Sequence, residues 1–445
     1  MYPDVTPDLY AVTHPIVAPE TGTLVLTDIP FTYTKHRKPP VRVVGRPFWS
    51  TDRVGTVRCM TARYAHQNKA RSGGILWDAL KTVLGPVSFQ LDFEESFVFF
   101  ANMMGSLNEK KTWRKIVDEL RWLHDMPNNV QIDFFVKTFT KVASHDAGCD
   151  KAGQGVSAWP KEYVYCFGVV ARALERALVK VLPSSFFFAS GLNDQEMAPV
   201  LCAWATGMGK SFHCINDFSR FDSTQGQGSL DFEIRLYRAL GMPDDLAEMY
   251  ALVRRKWSLS IRGARFSTGH MRNSGEAFTM LGNSVYNLAA LCVMFPDMVG
   301  CCVKGDDSII ALPSEKSIEG ASERALSIGA LAKVETPLVC DFISYLITSF
   351  GVFPFAHRLL GRLVCKPHED SNLVQALQDS YLAWLEQLGV LRAPRAHLWA
   401  VVESQAAHVS VEEAECVIAT LVAFSRGADL SRYTYSPLVF QLGSE

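Results

Sequence analysis

Residues 298–313 run Met-Val-Gly-Cys-Cys-Val-Lys-Gly-Asp-Asp-Ser-Ile-Ile-Ala-Leu-Pro. Two apolar runs flank a glycine and two aspartates, and this pattern predicts a β-hairpin with Gly305, Asp306 and Asp307 at its turn. Adjacent carboxylates between two buried strands are costly unless they bind cations. A Gly-Asp-Asp turn is common by itself, so the hairpin becomes informative only together with the residues that precede it.

A second acidic pair lies upstream of the hairpin. The apolar run 213–218 predicts a buried strand with Asp217 near its end, and Asp222 follows shortly after it. Mg²⁺ prefers one or two carboxylates together with phosphate and water, and Mn²⁺ suits the same ligands. If the two strands pair, Asp217 and Asp306 are metal ligands, and Asp307 is an auxiliary ligand or tunes the local charge. Two such ions suit nucleotidyl transfer, because they stabilise both the attacking 3′-oxygen and the departing pyrophosphate.

A polar set lies between the two acidic clusters. Ser274 and Gly275 precede a predicted helix over 276–295, which carries Thr279 and Asn283. Together with Asp222 these residues are suited to recognise the ribose 2′-hydroxyl, the group that distinguishes RNA precursors from DNA precursors. A structural interpretation stays open, in which Ser274 caps the helix and the other two are ordinary buried hydrogen-bonding groups.

Spaced lysines ahead of the first acidic cluster are candidate ligands for a nucleoside triphosphate and its departing pyrophosphate. They are Lys137, Lys141, Lys151 and Lys161. Lys333, which follows the hairpin, is a candidate general acid for the pyrophosphate. Spaced lysines more often belong to a plain solvated surface, and that interpretation stays open for each of them.

The composition is that of an ordinary globular protein, with 48% hydrophobic and 20% charged residues. A net charge of −2 excludes a globally basic nucleic-acid-binding protein, so any phosphate-binding surface has to be local. The 11 cysteines are scattered, which predicts reduced thiols and supplies no zinc-ligand spacing. We see no signal peptide and no apolar run of the roughly 18 residues that a membrane-spanning helix needs.

One apparent nucleotide-binding motif does not hold. Residues 207–211 resemble the end of a P-loop, but that motif requires a glycine five residues before Gly209. Trp204 occupies that position. A nucleoside triphosphatase is therefore not predicted.

Periodicity and turn residues predict a mixed α/β centre followed by helices. Helices are expected over 76–84, 110–123, 164–182, 226–240, 276–295 and 317–331, strands over 131–142 and 213–218, and hairpins over 298–313 and 340–353. Residues 153–155 mark a loop, and everything beyond Pro367 is expected to be helical. Ser410 and Glu413 form a capping-box sequence.

In this order the polar clusters resemble motifs A, B and C of viral RNA-dependent RNA polymerases of the alphavirus-like supergroup, most of all those of hepeviruses. The stretches that carry the resemblance are 151–159, 216–225, 273–283 and 304–308. Lys333 falls where motif D places its lysine. The resemblance covers residues 130–430 and is weak before them.

The resemblance implies a right-hand polymerase of the α/β (α+β) class, with fingers, palm and a helical thumb. Its expected boundaries are 1–130 for an N-terminal region with part of the fingers, 131–212 for fingers, 213–366 for the palm with a fingers insertion near 245–270, and 367–445 for the thumb.

It also implies an RNA-directed RNA polymerase of a positive-strand RNA virus that uses Mg²⁺, ribonucleoside triphosphates, and an RNA template with its product duplex. The expected companions are methyltransferase and helicase domains, in trans or in the same polyprotein. The expected location is a membrane-associated replication complex in the host cytoplasm, with membranes reached only through partners. The chain would then be a mature fragment or an excised domain of a replicase.

Two rival functions are open. A reverse transcriptase shares the palm but usually has an aromatic residue two positions before the paired aspartates, where this chain has Lys304. A polymerase-like RNA-binding protein that has lost catalysis is the other, and the intact set of Asp217, Asp306 and Asp307 disfavours it.

Overall fold

The computed structural model describes most of the chain from residue 155 onward and shorter stretches before it. The described residues are 16–18, 22–26, 42–43, 56, 59–60, 63–64, 68–87, 90–103, 109–111, 113–114, 130–136, 155–219, 221–255, 257–261, 264–364, 371–430 and 434–435. Lys137, Lys141 and Lys151 lie outside them, as do residues 115–123 of one predicted helix.

The described strands form four sheets. In chain order they are β1 (Ile16–Ala18), β2 (Gly22–Leu26), β3 (Arg42–Val43), β4 (Val130–Val136), β5 (Gly155–Ala158), β6 (Phe186–Phe188), β7 (Phe212–Phe218), β8 (Trp257–Ile261), β9 (Ala264–Thr268), β10 (Gly300–Lys304), β11 (Asp307–Leu312), β12 (Ala332–Glu335), β13 (Cys340–Phe342), β14 (Tyr345–Thr348), β15 (Gly351–Pro354) and β16 (Thr434–Tyr435). Gly155 thus begins a strand, where the sequence predicted a loop.

Thirteen described helices and one 3₁₀ turn accompany these sheets. They are Gly73–Lys81, Phe93–Met103, Lys161–Val181, Asp194–Gly207, Phe221–Thr224, Gln227–Ala239, Asp244–Arg255, Thr279–Met294, Ala321–Ser327, Ala356–Val364, Ser371–Gln387, Ala393–Ala407 and Val411–Ser425, with a 3₁₀ turn at Glu315–Ile318. None of the helices in this part of the chain is long and apolar enough to cross a membrane.

The central sheet has five strands in the order β12-β7-β11-β10-β6. β10 and β11 form the predicted hairpin, and β11 pairs antiparallel with β7, so the predicted pairing of the two carboxylate-bearing strands is confirmed. One face of the sheet packs against the helix Thr279–Met294, which is buried along nearly its whole length. Such a helix is apolar on all sides because it lies inside the core.

The other face of the central sheet packs against β13, β14 and β15 and against the C-terminal helices. The prediction of a hairpin over 340–353 is wrong, because the apolar run turns twice and forms a three-stranded antiparallel sheet. The predicted helix 317–331 is also shorter than expected. Gly320 and Gly329, both with φ of 73°, bound the helix Ala321–Ser327.

A six-stranded sheet joins distant parts of the chain in the order β1-β2-β9-β8-β4-β5. Its strands come from residues 16–26, 130–158 and 257–268. β2 pairs with β9, and β4 pairs with both β8 and β5. Contacts among residues this far apart are invisible in local patterns.

The C-terminal part is helical over 371–425, as predicted. The capping box is present, because Ser410 Oγ accepts from the Glu413 amide at 3.1 Å and Glu413 Oε2 accepts from the Ser410 amide at 3.0 Å. The expectation of helix throughout is wrong at β16, which pairs parallel with β3.

Candidate active site

Charged side chains line up across one end of the central sheet. Lys304 is the cross-strand partner of Asp307, and Asp217 is the partner of Lys333. β11 and β7 stay in register up to Ser308, so Asp307 and Asp217 come next to each other one position further on. Directly opposite residues project from the same face of a sheet. The pairing therefore places two aspartates between two lysines on one face, with the Lys304 ammonium donating to the Leu192 carbonyl at 2.9 Å.

The three residues of the sequence prediction lie at this end of the sheet, with Asp217 on β7 and Asp306 and Asp307 at the β10–β11 turn. Asp217, Asp306 and Asp307 are all exposed. Their oxygen donors are of the kind that Mg²⁺ and Mn²⁺ take, so the donor chemistry fits a divalent cation. Within the described residues, no group of three or more histidine, cysteine, aspartate or glutamate side chains is arranged as a ready-made metal site.

The hairpin turn is held by the long helix beneath it. Gly305 adopts φ of +63°, which favours glycine, and its amide donates to Ser284 Oγ at 2.8 Å. Asn287 Nδ2 donates to the carbonyls of Gly305 and Asp307 at 3.1 and 3.3 Å. The sequence analysis missed Ser284 and Asn287, although two polar residues inside an apolar helix were a usable signal.

The two predicted lysines that the structure describes lie in different surroundings. Lys333 is exposed and pairs with Glu335. The hydrogen bond and charge of Glu335, with a smaller contribution from Asp217, raise the pKa of Lys333. Lys161 begins the helix Lys161–Val181, and its ammonium lies 5.9 Å from the centre of the Tyr165 ring.

Asp222 and Asn283, predicted to act together, are brought together. Asn283 Nδ2 donates to Asp222 Oδ1 at 3.4 Å, and Gln225 Nε2 donates to Asn283 Oδ1 at 2.7 Å. The other carboxylate oxygen of Asp222 forms an ion pair with Arg63. Arg63 was missed because it lies 159 residues before Asp222, and Gln225 was given no role although it lies within the stretch 216–225.

The Ser274–Gly275 loop is fastened to β5. Ser274 Oγ donates to the Gly155 carbonyl at 3.3 Å, and the Ser157 amide donates to the Ser274 carbonyl at 3.2 Å. Gly275 has φ of +91°, and a Cβ there would lie 2.1 Å from the Ser157 carbonyl oxygen. The glycine is therefore required for the close approach of the two segments.

Ser274 is not the helix cap that the structural interpretation offered. The helix begins at Thr279, and Phe278 is its N-cap residue. Thr279 Oγ1 donates to the Asn273 carbonyl at 2.8 Å and so closes the loop from its far side.

A buried ionic cluster underlies this loop. Arg272 pairs with Glu233 and Glu276, and Arg254 lies 3.2 Å from Glu276 and 3.5 Å from Glu233. All four side chains are buried. Burial raises the pKa of Glu233, but the charges of Arg272 and Arg254 outweigh it, so this pKa lies below its ordinary value. The cluster was not predicted, because charged residues in a sequence give no sign of burial.

Comparison with known proteins decides the family. Residues 94–427 match the family model described as RNA dependent RNA polymerase, which is well over half of the chain. The chain belongs to the RNA-dependent RNA polymerase family. It is an RNA-directed RNA polymerase, as the order of the three motifs predicted.

Similar proteins of this polymerase family are hepevirus polyproteins. The non-structural polyprotein pORF1 of hepatitis E virus genotype 1 (isolate Human/Pakistan/Sar-55) is 32% identical over 258 residues, which is 56% of this chain and 15% of that protein. The same polyprotein of avian hepatitis E virus is 30% identical over 344 residues, 74% of this chain and 21% of that protein. These matches confirm the resemblance to hepevirus polymerases. The chain spans at most about a fifth of the length of these relatives.

Polymerases of this family generally use divalent metal ions. The exposed carboxylates at the end of the central sheet have oxygen donors of the kind that such ions prefer.

Proposed function

We propose that this polymerase copies the RNA genome of a positive-strand RNA virus by metal-dependent transfer of ribonucleotides. The observation that carries the proposal is the pairing of β7 with the β10–β11 hairpin, which brings Asp217 beside Asp307 at one exposed sheet edge. The relatives are viral non-structural polyproteins, which supports a replicase role.

The carboxylates have separate tasks in this proposal. Asp217 and Asp306 would hold two Mg²⁺ ions, with Mn²⁺ an alternative, and Asp307 would complete the ligand set or tune its charge. When bound, the ions supply positive charge to the attacking 3′-oxygen and to the leaving pyrophosphate. Ser284 and Asn287 keep Asp306 and Asp307 in place by holding the backbone of the turn.

Ribose selection falls to the polar set around the loop. Asp222 and Asn283 accept and donate hydrogen bonds at the 2′-hydroxyl, a contact that a deoxynucleotide cannot make. Ser274, Gly275 and Thr279 shape the loop that carries the sugar. The hydrogen bond between Asp222 and Asn283 supports this joint role.

The lysines act on the phosphates. Lys333 donates a proton to the pyrophosphate, and its hydrogen bond to Glu335, which raises its pKa, favours the protonated form. Lys137, Lys141, Lys151 and Lys161 bind the triphosphate.

The proposed architecture is the right hand. Residues 1–130 form an N-terminal region with part of the fingers, and 131–212 form the fingers. The palm comprises 213–366 with a fingers insertion near 245–270, and the helical thumb comprises 367–445. Four strands of the five-stranded sheet, β7, β10, β11 and β12, lie in the proposed palm except for the first residue of β7, whereas β6 comes from the residues assigned to the fingers.

The proposed partners are the RNA template and product duplex, ribonucleoside triphosphates, and methyltransferase and helicase domains of the same polyprotein or in trans. The proposed location is a membrane-associated replication complex in the host cytoplasm, with membranes reached through those partners. The polyprotein relatives support a chain that works beside other replicase domains.

Primer extension on a defined RNA template tests the proposed function. The purified chain is supplied with Mg²⁺ and labelled ribonucleotides, beside Asp306→Ala as the matched control. We expect a template-dependent product from the native chain and none from the variant. A folded chain that binds RNA but extends nothing would instead favour the non-catalytic RNA-binding protein.

A further inference from the structure

Arg63 reaches the proposed ribose site from far away in the sequence. It forms an ion pair with Asp222, which lies 159 residues later. The Arg63 and Asp222 side chains are 19% and 17% exposed, so the pair lies at the border between interior and solvent. It is within reach of a ligand and partly shielded from water.

The same guanidinium holds a second element. Arg63 Nη1 donates to the Gly155 carbonyl at 3.1 Å, and that carbonyl also accepts from Ser274 Oγ. One side chain therefore links the carboxylate of Asp222 to the strand that fastens the Ser274–Gly275 loop. The planar fork of an arginine can serve two acceptors at once, whereas a lysine ammonium is a single point of charge.

Two residues that follow Arg63 in the chain, Tyr64 and Asn68, anchor it to other parts of the fold. The Tyr64 ring is fully buried, and its hydroxyl lies 3.0 Å from Ser157 Oγ. Asn68 Nδ2 donates to the carbonyls of Thr224 and Ile328 at 2.8 and 2.9 Å. The guanidinium is thus placed by the fold rather than by its contact with Asp222 alone.

The other carboxylate oxygen of Asp222 begins a chain of hydrogen bonds that reaches the buried Arg272. Asn283 donates to it, Gln225 donates to Asn283, and Arg272 Nε donates to Gln225 Oε1 at 3.1 Å. Arg272 belongs to the buried ionic cluster. An ionised carboxylate has about four acceptor positions, so these two contacts leave capacity for a third partner.

We propose that Arg63 is a positioning residue for ribose selection, which holds the Asp222 carboxylate in the orientation that accepts the substrate 2′-hydroxyl. This inference rests on the proposed function, since it assigns Asp222 to the ribose. It extends that function by placing a determinant of sugar specificity before residue 130, where the sequence resemblance is weak.

The geometry separates this role from direct phosphate binding. An arginine that contacted the triphosphate would act on ribonucleotides and deoxynucleotides alike. An arginine that acts through Asp222 affects only the substrate that carries a 2′-hydroxyl.

The test measures kcat and KM for a ribonucleotide and for the 2′-deoxynucleotide of the same base. The native chain is compared with Arg63→Gln, Arg63→Lys, Asp222→Asn and the Arg63→Gln/Asp222→Asn double variant. Arg235→Ala, an exposed arginine on the helix Gln227–Ala239, is the matched control. Thermal unfolding of every variant establishes that it is folded.

We expect Arg63→Gln to lower the ribo/deoxy ratio of kcat/KM about tenfold, mainly through the KM of the ribonucleotide, since one charge-assisted hydrogen bond is lost. Arg63→Lys keeps the charge but lacks the planar fork that fits the two acceptors, so it should recover part of the ratio. The double variant should match Asp222→Asn alone, because both changes remove the same contact.

Equal losses for the two sugars would overturn the inference, as would additive effects in the double variant. A native chain that extends no primer would remove the proposed function and the inference with it. A native chain that extends primers while every Arg63 variant keeps the native ratio would remove the inference alone. If Arg63→Gln does not fold, the lysine variant and Asp222→Asn decide the matter.

Discussion

The end of the central sheet that carries the carboxylates and the Ser274–Gly275 loop differ in the environment of their charged residues. The first are exposed to water, and those beneath the loop are buried in ion pairs. Asp217, Asp306 and Asp307 are exposed to solvent. Beneath the loop, Arg272 is 0% and Glu276 8% exposed, and each has an oppositely charged partner. Charges that stay in water avoid the desolvation penalty, and buried charges persist only when they are paired. We infer that the edge is built to receive cations and the loop to keep its shape.

The largest effect is expected at the exposed edge. Asp306→Ala should abolish nucleotide incorporation while the free energy of unfolding stays the same or rises, because like charges repel at an empty site. Glu319→Ala, another exposed acidic residue, should retain activity. Primer extension and urea unfolding of both variants check this. Primer extension near the native rate by Asp306→Ala would contradict the assignment of Asp306 as a metal ligand.

The opposite result is expected beneath the loop. Arg272→Met should lower the free energy of unfolding by about 3–5 kcal/mol, since it leaves two buried glutamates with a single arginine between them. Arg238→Met, which removes an exposed arginine 2.8 Å from Asp244, should cost about 0–1 kcal/mol.

Urea unfolding at neutral pH compares the two arginine variants. If both variants lose a similar amount of unfolding free energy, the buried ion pairs of Arg272 contribute no more to stability than the exposed pair of Arg238.

Two asparagines one turn apart on the long helix sharpen the contrast. Asn283 contacts Asp222, and Asn287 holds the hairpin turn. Asn283→Ala should lower the ribo/deoxy ratio of kcat/KM several-fold, because about one hydrogen bond to the ribose is lost. Asn287→Ala should slow the incorporation of both sugars alike, because it disturbs the turn that carries Asp306. Steady-state kinetics with both sugars distinguish them, and an unchanged ratio in Asn283→Ala would make its role structural.

The smallest effect is expected at the exposed Lys333–Glu335 pair. Glu335→Gln removes the group that raises the pKa of Lys333, so the lysine should lose its proton at lower pH. The alkaline limb of the kcat profile should then shift to lower pH, while the melting temperature stays unchanged. A profile identical to the native one would speak against Lys333 as the proton donor.

Local patterns predicted the elements that bear the chemistry. The hairpin at Gly305–Asp307, the strand before Asp222 and the long helix after Gly275 were each visible in a run of fewer than twenty residues. Local patterns were less accurate where short elements follow one another closely. They predicted a hairpin where a three-stranded sheet covers 340–354, and a longer helix than the one at 321–327.

By itself the sequence determined the order of the acidic clusters, the strand or helix that carries each one, and the polymerase family. It did not predict contacts between distant segments, because periodicity reports only on neighbours along the chain. The tertiary structure alone decided that Arg63 meets Asp222, that Ser284 and Asn287 hold the turn, and that Arg272 lies buried between two glutamates. Those contacts form only when segments that are distant in the chain pack together and exclude water between them.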